Sequence, residues 1–143
     1  MDLITLSSNN NIGIDTYLKL RASVNFKPLS RTQAQKALNN SLYVIFAYVD
    51  EKIVGMGRLV GDGAVICYIQ DLIIHPDYQH YGIGSMIIEN LIKYVEDLCE
   101  ENTEIMLDLM SVKGRESFYE KHSFIARPTD DLGPGMIRYI NRK

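Results

Sequence analysis

The sequence predicts an α/β fold whose sheet is not doubly wound, and three observations predict it. Runs rich in β-branched and aromatic residues at 41–49, 52–60 and 65–74 follow one another with only short turns between them. A glycine-punctuated segment, Gln79-His80-Tyr81-Gly82-Ile83-Gly84-Ser85, then opens a helix. From Ile83 the apolar residues recur at Ile83, Ile87, Leu91, Ile92, Val95, Leu98 and Cys99, one stripe of that helix. Hairpins in succession do not fit the strict strand–helix alternation of a doubly wound sheet.

The elements follow in order. Leu3-Ile4-Thr5-Leu6 is a short strand closed by the polar cluster Ser7 to Asn11. Asp15 is placed to cap a helix through Tyr17, Leu18, Leu20 and Val24, and Pro28 interrupts that pattern. Ser30 reads as the N-cap of a second helix, from Arg31 to about Leu38. Asp50-Glu51 joins two strands tightly enough for a hairpin, and Gly61-Asp62-Gly63 turns into the strand Val65 to Ile74. Along that strand Tyr68, Gln70, Leu72 and Ile74 alternate with Cys67, Ile69, Asp71 and Ile73, which places the two sets on opposite faces. His75-Pro76-Asp77 ends it. After the main helix come a strand over Glu104 to Leu109 and a helix over Ser111 to Lys121. Two last strands, Phe124 to Ala126 and Met136 to Tyr139, flank a loop holding Pro128 and Gly133-Pro134-Gly135.

At 143 residues, with 46% hydrophobic and 23% charged residues, the chain suits a single domain, residues 1–143, with a sizeable core. Net charge is −3, from 18 acidic against 15 basic residues, without a basic cluster, so no nucleic-acid partner is expected. No apolar run approaches the roughly 18 residues of a membrane span, and no secretory signal opens the chain, so the expectation is a cytoplasmic protein without a membrane partner. The two cysteines, Cys67 and Cys99, read as buried thiols; two are too few to suggest a metal site.

The turn at 79–85 is the chemically informative stretch. At a helix N-terminus the first backbone N–H groups lack partners, and the aligned peptide dipoles place about half a positive charge there. Gly82 and Gly84 let a ligand approach the main chain, so a phosphate or pyrophosphate suits the site. No Gly-Lys-Ser/Thr follows, which disfavours a nucleotide triphosphatase.

Gln79, Gly82 and Gly84 match the Gln/Arg-x-x-Gly-x-Gly/Ala signature of the GCN5-related N-acetyltransferases, or GNAT family, and the chain resembles that family here. The strand Gln70 to Pro76 before the turn and Phe118-Tyr119-Glu120-Lys121-His122-Ser123-Phe124 after it resemble further family motifs, in the family's order. The resemblance spans about residues 42 to 126. It implies the GNAT fold: a mixed, mostly antiparallel sheet with a central, splayed parallel strand pair, flanked by helices. It further implies acetyl-CoA as co-substrate, with no metal, its pyrophosphate held by Gln79, His80, Tyr81, Gly82, Ile83, Gly84 and Ser85. The pantetheine arm would lie along main-chain groups of Leu72, Ile73 and Ile74, with Phe118 touching the cofactor, and Tyr119 would be the general acid. A homodimer is common in such proteins.

Acetyl transfer to an amine requires removal of a proton from the amine, support for the oxyanion, and protonation of the leaving thiolate. No enzyme nucleophile is needed, which suits a chain without a Ser-His-Asp arrangement. Many relatives carry glutamate or histidine where Tyr68 or Gln70 stands, and glutamine cannot act as a base. Proton loss through water ordered by Tyr68 or Gln70 is therefore expected, with Asp71 as an ionisable alternative or a structural carboxylate. Tyr68, Gln70 and Asp71 are the candidate acceptor-binding residues. The expected activity is acetyl transfer to a primary amine of a small molecule. The alternatives are a coenzyme A-binding module without turnover and an acetyltransferase acting on a protein lysine or N-terminus.

Overall fold

The structure, a computed structural model, describes residues 3–8 and 13–142. The chain divides into two compact units, one running to Leu109 and the other beginning at Met110. The first holds β1 (Ile4–Ser7), α1 (Ile14–Ser23), α2 (Arg31–Asn39), β2 (Tyr43–Val49), β3 (Lys52–Gly61), β4 (Ile66–Ile74), α3 (Ile83–Leu98) and β5 (Met106–Leu109). These strands form one sheet in the order β1-β2-β3-β4-β5, antiparallel up to β4 and parallel between β4 and β5. The mixed sheet flanked by helices is the expected fold class.

Local chemistry explains the ends of these elements. Asp50 takes a positive φ of 55° in the two-residue turn between Val49 and Lys52. In the next turn the Asp62 carboxylate accepts from the N–H groups of Ala64, Val65 and Ile66 at 2.8–3.0 Å, which also lowers its pKa. β4 begins at Ile66, directly after this turn, and the Val65 carbonyl already accepts from Met106 N–H at 3.0 Å. Ser30 caps α2 with a full capping box to Gln33. Asp15, by contrast, does not cap α1. Gly13 occupies that position, and Asp15 lies in the first turn, paired with Arg31 at 2.6 Å.

The sheet is covered on both sides. Tyr17, Leu20 and Ala34 from α1 and α2 pack with Val44, Phe46, Met56 and Ile73. On the opposite side Ile83, Ile87, Ile88, Leu91 and Val95 of α3 are buried. Gly57 permits this approach: a Cβ there would lie 2.7 Å from Ile87 Cγ2 and 2.9 Å from Leu91 Cδ1. Tyr43 stacks on Tyr94 of α3 at 4.0 Å and donates to Asn90 Oδ1 at 2.8 Å. Cys67 is buried, as expected, whereas Cys99 is only half-buried beyond the end of α3.

In the second unit α4 covers only Glu116–Glu120, not the expected 111–121, because Gly114 at φ 93° lies just ahead of its N-cap, Arg115. Neither 124–126 nor 136–139 forms a strand, which corrects the expectation. β-Branched and aromatic composition supplies only a preference for a half-buried ladder position. No ladder joins either segment, and Met136, Ile137, Tyr139 and Ile140 are exposed.

Candidate active site

The centre of β4 is bent by a residue whose type strands disfavour. Asp71 takes φ 58° in the middle of the strand. Across the β3–β4 ladder Arg58 faces Gln70 and Met56 faces Ile73, leaving only Gly57 opposite the Asp71-Leu72 pair. This is a β-bulge, and it breaks the expected alternation. Gln70 and Ile73 share their faces with Arg58 and Met56, toward α1 and α2, and Asp71 also turns to that side to meet α1. Ile74, opposite Gly55, turns toward α3, where its Cδ1 lies 3.0 Å from a Cβ built on that glycine.

The Asp71 carboxylate is fully enclosed. Tyr17 Oη donates to its Oδ2, Arg21 Nη1 donates to Oδ1 at 2.5 Å, and Arg58 Nε donates to Oδ2 at 3.1 Å. Arg58 Nη1 also donates to Ala37 O at 3.4 Å and Ser41 Oγ at 3.3 Å, tying the cluster to α2. Burial, then the bond to Asp71, pushes the Tyr17 phenol up to about 12. The sequence signal for this bulge was an aspartate inside an apolar strand run.

Just before the bulge the two parallel strands part. Their pairing runs from Ile66 beside Met106 to Ile69 beside Leu109, and β4 continues alone on that side from Gln70 to Ile74. Leu72, Ile73 and Ile74 therefore have main-chain groups outside the β5 ladder, while the Ile73 side chain is core. Gln79 Nε2 donates to Ile74 O at 3.0 Å, so this side chain ties the strand end to the turn.

In the turn, His80 (φ 70°) and Gly82 (φ 81°) both lie in the left-handed region around the exposed Tyr81. Gly82 is the N-cap of α3, and a Cβ on it would meet nothing within 4 Å. The first bond of α3 runs from Met86 N–H to Gly82 O at 3.1 Å. The amides of Ile83 and Gly84 precede it and have no acceptor within the helix. Ile83 buries its side chain, while Gly84 and Ser85 are half-buried. An open, glycine-capped helix end after the stretch of β4 that β5 does not pair fits a diphosphate followed by an extended arm.

Phe118 and Tyr119 lie in the second unit, their rings 5.1 Å apart. Burial pushes the Tyr119 pKa up, against a smaller pull from Arg115. Among the described residues no group of three or more metal-ligating side chains occurs, and no helix is long and apolar enough to cross a membrane.

One residue was missed from the sequence. Asp108 on β5 stands beside Tyr68 of β4, so both face the side of Arg58 and Gln70. Its Oδ1 is sealed from solvent without a hydrogen-bond partner. Burial raises its pKa, its own backbone amide working weakly the other way. The available signal was an aspartate between the apolar residues Leu107 and Leu109 of the alternating run 104–109. A separate cavity of about 420 Å³, lined by Gln35, Leu38, Asn39, Ser41, Leu42 and Phe46 among others, takes in neither the 79–85 turn nor the β4–β5 pair.

Comparison with known proteins agrees with this geometry. Residues 40–126 match the family model of the acetyltransferase (GNAT) domain. A Pyropia yezoensis protein named uncharacterized N-acetyltransferase ycf52 is 33% identical over 140 residues, 95% of this chain and 77% of that protein. A Glycine max protein named histone acetyltransferase TAP1 is 29% identical over 126 residues, 80% of this chain and 51% of its own length. A crystal structure from meticillin-resistant Staphylococcus aureus, described as a probable acetyltransferase, superposes with a TM-score of 0.83 at 28% identity. It covers 96% of this chain and 100% of its own.

Proposed function

Because the chain belongs to the GNAT family of acetyltransferases, we propose that it moves the acetyl group of acetyl-CoA to a primary amine of a small molecule by direct attack. The observation that carries this reading is the parting of β4 from β5, which leads into the Gly82-capped end of α3. Main-chain groups of Leu72 to Ile74 receive the pantetheine arm. Amides of the turn from Gln79 to Ser85 receive the diphosphate, those of Ile83 and Gly84 foremost, with His80 and Tyr81 at its rim; the Gln79 N–H is itself engaged by Pro76 O at 3.4 Å. Gln79 serves partly by fixing the strand end through Ile74 O. The two units work as one domain, a reading supported by a family match that runs across Leu109.

Tyr68 and Gln70 face the acceptor. The Asp71 carboxylate, with both oxygens occupied, contributes by holding the bulge rather than by touching the amine. Tyr119 protonates the leaving thiolate, and a phenol whose pKa is raised by burial keeps its proton across the neutral range. Phe118 packs beside it and meets the cofactor.

Thermal unfolding with coenzyme A, followed by thiol release over a panel of primary amines, tests the proposal. Coenzyme A should raise Tm, and at least one amine should release thiol. Gly82→Leu should weaken coenzyme A binding by about tenfold or more, since φ 81° suits glycine and a side chain there strains the turn that presents the amides. Tyr119→Phe should lower kcat by about 10²-fold while leaving coenzyme A affinity intact. Absence of protection together with absence of thiol release overturns the reading. Turnover on a lysine peptide but on no small amine would move the acceptor to protein, the direction in which the similarity to a histone acetyltransferase points.

A further inference from the structure

Asp108 is an orphan of an informative kind. Its Oδ1 is removed from water and accepts no hydrogen bond, and no salt bridge reaches it among the described residues. A buried acceptor left without a donor is costly, and in a native protein such a group calls for an explanation. Its place supplies one. Asp108 is beside Tyr68, one residue before the last β4–β5 pair, Ile69 with Leu109, after which the strands part. It shares a side of the sheet with Tyr68 and Gln70 at the start of that opening.

We infer that Asp108 is the acceptor-site carboxylate: it binds the incoming primary amine as an alkylammonium ion and takes the proton that the amine must lose. This rests on the acetyltransferase reading and narrows its substrate to amines that arrive as cations. An ammonium supplies the charged donor that Oδ1 lacks. An alkylammonium has a pKa near 10, so at neutral pH the amine arrives protonated and needs an adjacent base. The nitrogen lone pair then forms the N–C bond to the thioester carbonyl and the C–S bond breaks. The thiolate takes a proton from the acid, the second proton that the nitrogen sheds as the amide forms restores that acid, and Asp108 releases its own proton to water. The balance is R–NH3⁺ plus acetyl thioester giving R–NH–acetyl, free thiol and H⁺. Burial favours the protonated carboxyl, which makes Asp108 a stronger base than an exposed aspartate once it is ionised. The titratable group beside it on the same side of β4 is the Tyr68 phenol, while the Cys67 thiol, on the other face, feels only its charge.

The test compares wild type, Asp108→Asn and Asp108→Glu, using the amine that wild type turns over in a panel running from ethanolamine to spermidine and a lysine peptide. Asp108→Asn should lower kcat/KM for the amine by about 10²-fold or more. Its residual rate should climb with pH as free amine accumulates, coenzyme A affinity should stay unchanged, and Tm should be equal or higher. Asp108→Glu should restore part of the rate. Wild-type turnover matched by Asp108→Asn overturns this assignment and leaves the transferase reading standing. A wild type inert toward every amine, yet protected by coenzyme A, overturns both the transfer and the assignment.

Discussion

Two aspartates near Tyr68, Asp71 further along β4 and Asp108 beside it on β5, differ in one respect. Asp71 is buried with three donors, Tyr17, Arg21 and Arg58, whereas Asp108 buries an oxygen with none. A carboxylate whose oxygens are all occupied holds structure; one left wanting a donor is ready for a ligand. The strands carry the same contrast. β4 has a bent, braced centre, and β5 is a short strand that leaves the ladder at Leu109.

Asp71→Ala should have the largest effect. It leaves two buried guanidiniums without their counter-charge, and breaking such a set costs about 3–5 kcal/mol, or a fall in Tm of roughly 10 °C in urea-free melting. Asp71→Gly relieves the left-handed backbone but not the charges. If it melts like wild type, the bracing is conformational rather than electrostatic and the contrast with Asp108 collapses.

A double-mutant cycle on Arg58→Met and Asp71→Asn comes next. Its coupling should be about 1–3 kcal/mol, and additive losses would show that the two groups do not act on each other. Tyr17→Phe should cost about 1–2 kcal/mol, the worth of a bond to a charged acceptor. Its pH dependence has a definite sign. The Tyr17 pKa is raised to about 12 from the ordinary 10, so its contribution is complete below pH 10 and lost as pH climbs through 12. Chemical denaturation at pH 8 and at pH 11 should show that alkaline loss in wild type and not in the variant.

The smallest effect belongs to Asp108→Asn, and its sign is the sharpest part of the contrast. With a folded pKa above the unfolded one, ionised Asp108 destabilises the fold as pH rises past the ordinary carboxylate range. Removing the charge at neutral pH should therefore leave Tm equal or slightly higher, opposite to every change at Asp71. A clear fall in Tm would show Asp108 to be a second structural carboxylate.

Much of this was legible in the residue order. Ser30 with Gln33 announced a capping box, Asp50-Glu51 a hairpin, and the stripe from Ile83 to Val95 the long helix, because each rests on contacts only a few residues apart. Asp15 misled because a good capping residue sat two positions inside the helix, where Arg31 claimed it. The strands proposed at 124–126 and 136–139 failed because strand character needs a partner, which composition does not supply.

By itself, then, the sequence determined the element order, the glycine-capped turn after β4, and the family to which the chain belongs. Only the tertiary structure decided that Asp71 is bent into a bulge and shared among Tyr17, Arg21 and Arg58. It alone placed Asp108, with one carboxylate oxygen sealed from solvent and unbonded, where β4 and β5 separate. The reason is physical: local signals act through neighbouring backbone, but a carboxylate's charge and role depend on which distant donors the fold brings to it.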